Sequence, residues 1–80
     1  MNKHLMQLTL DMIDFFANCD DDLVDPDVSV AKLEEIAFLL QQLSTRERNQ
    51  FAKFVEQAAE SNEEKSEFYR SVPENIGLFS

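Results

Sequence analysis

The chain has 80 residues, sixteen acids against seven bases and a formal net charge of −9. That length makes one domain, and that balance lacks the Lys/Arg density needed to neutralise nucleic-acid phosphates or to dock on an anionic membrane. Hydrophobic residues make up 44%, with seven Phe, one Tyr and a single glycine, which excludes disordered and fibrous classes and allows one small core.

The first helix is expected from about Asn2 to Cys19. Gln7, Asp11, Asp14 and Asn18 are spaced 4, 3 and 4 and form a narrow polar line, while Leu5, Met6, Leu8, Leu10, Met12, Ile13, Phe15, Phe16 and Ala17 fill the rest. That apolar arc spans roughly 220°, wider than a peripheral helix needs. It fits either a central helix of a bundle or a homodimer contact. Residues 20–27 read DDDLVDPD. Acids oppose the negative end of a helix, and Pro26 drives Asp25 out of helical geometry, so a loop is expected with Leu23 and Val24 tucked beneath it.

A second helix is expected from Ser29 as N-cap, with Val28 and Leu33 as a hydrophobic staple. Val30, Leu33, Ile36, Ala37, Leu40 and Leu43 share its inner face, and Phe38 points to the polar side among Glu34, Glu35, Gln41 and Gln42. Ser44 and Glu47 make a capping box that opens a third helix with Phe51, Phe54, Val55 and Ala58 inward. The short join predicts that the second and third helices pack as an antiparallel hairpin. No apolar residue occurs in residues 60–67, and Ser61 with Glu64 repeats the capping pattern. This predicts a break near Ser61 and a short fourth helix to about Ser71; a continuous helix over residues 45–71 is the alternative. Pro73 is expected to end that helix and Gly77 to close a turn at positive φ, with Ile76, Leu78 and Phe79 docked on the core. No strand pattern occurs. The reading is all-α: a single domain over residues 1–80, three main helices, a short fourth and a docked C-terminal turn.

Catalytic chemistry finds few parts here. From Asp20, an EF-hand register puts Val24 at position five, Asp25 at six and Ala31 at twelve, where calcium requires a ligand, a glycine and a glutamate. Cys19 is followed only by acids, which raise a thiol pKa, and the sole histidine, His4, lies about four helical turns away. One Cys and one His are too few for a zinc site. Cys19 therefore reads as a buried structural residue and His4 as a surface one. One glycine makes no phosphate loop. The chain reads as a non-enzyme with no cofactor and no metal.

The charge is concentrated instead. Residues 11–35 hold nine acids against one lysine, whereas residues 36–60 balance three against three. Clustered like charge costs stability through self-repulsion, and one use that justifies it is steering a basic partner. Asp20, Asp21, Asp22, Asp25, Asp27, Glu34 and Glu35 are the candidate carboxylates. Phe38 is the candidate apolar anchor, unless the C-terminal segment covers it. In size, acidity and helical class the chain is similar to bacterial nuclease immunity proteins, a likeness carried by those three properties alone. The expected function is binding of a basic partner protein, as an inhibitor, an immunity- or antitoxin-type protein or a regulatory adaptor. Alternatives are a structural homodimer built on the first helix and a nucleic-acid mimic that blocks a DNA-binding protein. No direct nucleic-acid or membrane contact is expected. The lone cysteine and the absence of a clean export signal point to the cytoplasm.

Overall fold

The computed structural model describes residues 1–79. It is all-α, with α1 (Lys3–Asn18), α2 (Pro26–Gln41), α3 (Thr45–Ser61) and α4 (Ser66–Asn75), and a 3₁₀ turn, Glu63–Lys65, ahead of α4. No strand forms among the described residues.

The helix starts follow local chemistry. Asn2 caps α1, its side chain accepting from the amides of His4 and Leu5. Ser44 and Glu47 form the expected capping box at α3. At α2 the N-cap moves four residues upstream. Asp25 is the N-cap and accepts from the Asp27 amide at 2.9 Å, with Pro26 at the first helical position. Proline is preorganised there and has no amide to orphan, so Asp-Pro outcompetes Ser29, which is buried inside the helix.

The break between α3 and α4 is real but is made by Asn62 rather than Ser61: Asn62 is extended and its side chain accepts from the Lys65 amide. Helix α4 then runs through Pro73 to Asn75, past the expected stop. Proline forfeits one donor near the helix end, and the closure beyond it compensates. The Leu78 amide donates to the Pro73 carbonyl at 2.9 Å and the Gly77 amide to Glu74 at 3.1 Å. Gly77 takes φ 63°. This is a Schellman closure, with a buried residue just after the glycine.

The core joins Leu10 and Ile13 of α1, Leu40 of α2, Phe51, Val55 and Ala59 of α3, Tyr69 and Val72 of α4, and Ile76 and Leu78 of the terminal turn. Phe79 stays exposed, so two of the three expected terminal residues dock. Helix α3 pairs closely with α4, and α2 with α1. The expected α2–α3 hairpin is not the main pairing. Leu40 is the one buried apolar side chain on α2, near its C-terminal end, where Gln41 also donates to the Ile76 carbonyl at 3.0 Å. Arg48 Nη1 ties the same segment to α3 by donating to the Leu78 carbonyl at 3.2 Å.

Helix α1 is not central. Of its nine apolar side chains from Leu5 to Ala17 only Leu10 and Ile13 are buried. It makes only a narrow contact with α3.

Candidate functional site

The candidate carboxylates lie on the link between α1 and α2 and along α2. After Asn18 the chain turns tightly, with the amides of Leu23 and Val24 both donating to the Asp20 carbonyl at 2.9 and 3.3 Å. That turn leaves the side chains of Asp20, Asp21 and Asp22 exposed. Leu23 is not tucked beneath the loop but 70% exposed, while Val24 is half-buried. The turn is too short to fold both apolar residues inward.

Asp25 and Asp27 have work within the fold. Asp25 caps α2, and Asp27 stands in the first turn, where a carboxylate is favoured by the positive end of the helix. Glu34 and Glu35 are exposed farther along, and Glu35 pairs with Lys32 at 3.4 Å. Among the described residues no ion pair reaches Asp20, Asp21, Asp22, Asp25, Asp27 or Glu34.

Phe38 is 62% exposed, so the C-terminal segment does not cover it. Residues 27, 31, 34 and 38 are spaced 4, 3 and 4, which sets Asp27, Ala31, Glu34 and Phe38 on one line of α2. The line faces away from Ser29, Ile36 and Leu40. Asp27 and Phe38 are about 16 Å apart along the axis at the usual rise per residue. The structure thus sets two of the candidate carboxylates, Asp27 and Glu34, in a strip along α2 with the aromatic at its far end, and leaves Asp20, Asp21 and Asp22 on the loop before it.

A second grouping borders the loop and escaped the sequence reading. Asp11, Asp14, Phe15, Asp20, Leu23 and Lys65 are among the residues lining an open cleft of about 490 Å³. The polar line on the first helix signalled Asp11 and Asp14. Nothing local signalled that Lys65 would return to meet them. Lys65 Nζ donates to Asp14 Oδ2, and Asn18 donates to Asp14 Oδ1 at 2.8 Å. Burial pushes the Asp14 carboxyl up, but the Lys65 hydrogen bond, the Asn18 amide and the Lys65 charge together hold it below the usual carboxylate value. The hydrogen bond to Asp14, with its charge, raises the Lys65 ammonium in turn. Burial raises the neighbouring Tyr69 phenol, with Lys65 opposing and Asp14 and Asp11 adding to the rise.

Cys19 is half-buried rather than enclosed, with Sγ 3.4 Å from the hydroxyl of buried Ser29. His4 is exposed. A groove of about 800 Å³ lies between α1 and α3 with Lys3, Lys53, Met6 and Phe54 in its walls and no carboxylate, away from every candidate residue. Among the described residues, no group of three or more His, Cys, Asp or Glu is placed to hold a metal ion. No helix among them is long and apolar enough to cross a membrane. No family model, no curated protein and no solved structure matches the chain.

Proposed function

We propose that this chain is a protein-binding module for a basic partner protein, acting by occupancy rather than by catalysis, in the manner of an inhibitor, an immunity- or antitoxin-type protein or a regulatory adaptor. One observation carries the reading: Phe38 stands 62% exposed on the same line of α2 as Asp27 and Glu34. An aromatic left in water is an unused apolar contact, and carboxylates along its line suit a Lys/Arg-rich surface. The exposed Asp20, Asp21 and Asp22 extend the field beyond the start of α2 and would raise the encounter rate. The reading includes a cytoplasmic setting, supported by a lone half-buried cysteine that has no disulfide partner in the chain.

The test is low-salt capture from the source cell with stepped salt elution, followed by kinetics on the captured protein. Expected is a basic protein that elutes at moderate salt. Changing Asp20, Asp21 and Asp22 together to Asn slows its association about tenfold, while Phe38→Ala speeds its dissociation. Capture of a protein whose rates ignore both changes overturns the reading, as does failure to retain any basic protein.

A further inference from the structure

Helix α1 carries a second apolar face that the fold does not use. Leu5, Leu8, Met12 and Phe15 are spaced 3, 4 and 3, the spacing of a coiled-coil seam. All four are between 42% and 57% exposed, although the helix is well capped and its core side is filled by Leu10 and Ile13. Four large apolar side chains in one line are not the scattered singles of an ordinary surface.

We propose that this face is a homodimer interface on which a second copy of the chain packs with its α1 antiparallel. Three observations select that occupant and that orientation. The seam is complementary to itself: a two-fold axis midway between Leu8 and Met12 sets Leu5 of one copy against Phe15 of the other and Leu8 against Met12, as an isologous contact requires. The charge along α1 and the turn after it is lopsided. Residues 1–10 hold Lys3 and no acid, whereas residues 11–22 hold Asp11, Asp14, Asp20, Asp21 and Asp22. Antiparallel packing lays the acid-free half of each helix on the acid-rich half of its mate, while parallel packing forces the two Asp clusters side by side. The positions flanking the seam are Thr9 and Phe16 on one side and His4, Asp11 and Asn18 on the other, with one carboxylate among the five. A basic partner finds little to hold there; an apolar copy of the same stripe finds its match.

The size of the face sets the strength. A 16-residue helix is about 24 Å long. One pair of such faces lies at or below the small end of specific interfaces, so the dimer is expected in the micromolar range. Its binding is mainly apolar and both copies carry a net charge of −9, so rising salt does not weaken it, whereas the acidic strip is expected to lose a basic partner under the same change. That difference separates the two surfaces experimentally.

Sedimentation equilibrium from about 1 µM to 1 mM spans the expected range. The weight-average mass is expected to rise from 9.3 kDa towards twice that value. Leu8→Glu with Met12→Glu should weaken association on the order of a hundredfold while the helical circular dichroism is retained. Leu5→Ala with Phe15→Ala, a milder change, should act in the same direction if the first pair disturbs the fold. A nitroxide on the native Cys19 reads orientation. Antiparallel helices separate the two labels by about 27 Å along the axis, and parallel ones bring them together. A chain that stays monomeric at 1 mM overturns the proposal. So does a dimer indifferent to both pairs of changes, or one whose Cys19 labels lie in contact.

Discussion

Lys65, in the 3₁₀ turn ahead of α4, donates its ammonium hydrogen to Asp14 of α1, 51 positions earlier in the chain. Of the three ion pairs among the described residues it is the one that spans the two halves of the fold, since Arg70–Glu56 joins α4 to α3 and Lys32–Glu35 lies within α2. The Asp14 side of the contact is largely covered and the Lys65 side is about half exposed. It therefore fixes where the 3₁₀ turn lies against α1 more than it adds stability.

This pair gives stability an acid dependence. The folded chain holds the Asp14 carboxyl below its ordinary value, so folding favours the anion. The contribution is complete above the unfolded value, about 3.9, and drains as the pH falls through the folded one. Asp14→Asn is expected to lower the urea midpoint slightly at pH 7. The gap to the parent should close once the pH is well below 4. Urea titrations over that range check it; a gap that persists in acid means that Asp14 acts through packing or its Asn18 bond instead.

At the alkaline end the signs reverse. Tyr69 and Lys65 both have raised values in the folded chain. Folding therefore favours their protonated forms. That stabilisation is whole below about pH 10 and is lost as the pH climbs through the folded values. The chain has one Tyr and no Trp, so tyrosinate absorbance reports Tyr69 alone. Its midpoint is expected above 10 in the native chain and to fall back to about 10 in denaturant. A native midpoint at or below the denatured one contradicts the burial argument.

The terminal closure should be a strong determinant of stability despite its position. Gly77 is the one positive-φ residue among those described, and Leu78 behind it is fully buried. Gly77→Ala forces a Cβ into the left-handed region at about 1–2 kcal/mol. Leu78→Ala empties part of the core at about 2–5 kcal/mol. Denaturant melts of the two variants should show both losses, with Leu78→Ala the larger. Near-parent stability for Leu78→Ala places the terminal turn outside the cooperative unit.

Much of this closure was legible in the sequence, because it depends on local chemistry. Ser44 with Glu47 opens a helix wherever the pair occurs, and a lone glycine among helix formers marks a positive φ. The misses came from competition or from distance. Asp25-Pro26 and Ser29 both offered a start for α2, and the proline's preset φ decided between them. Pro73 looked like a terminator because its missing amide is visible in the sequence, while the Leu78 amide that repairs the end is a tertiary matter. The wide arc on α1 was visible too, but periodicity does not say how much of an arc the rest of the chain covers. The acidic strip was readable as composition and spacing. The meeting of Asp14 with Lys65 was not, because no local rule links residues in different helices.

Two phenylalanines test the division between core and surface directly. Phe51 of α3 is fully buried, whereas Phe38 of α2 is 62% exposed. Both have the same volume and the same transfer free energy, so any difference on truncation measures their surroundings. Phe51→Ala removes contacts on all sides and leaves a cavity, an expected loss of about 3–5 kcal/mol. That is most of the stability of an 80-residue helical chain, and the variant should be partly unfolded at 37 °C. Phe38→Ala takes an aromatic out of water and trades it for a better helix former, so its stability is expected within about 0.5 kcal/mol of the parent. Thermal melts of the two variants give the comparison. A large loss from Phe38→Ala would mean that the ring is held against the fold in solution and is not free to anchor a partner. A near-neutral result shows that the ring is free of the fold, so that its effect on the dissociation of a bound partner can be measured without a loss of stability.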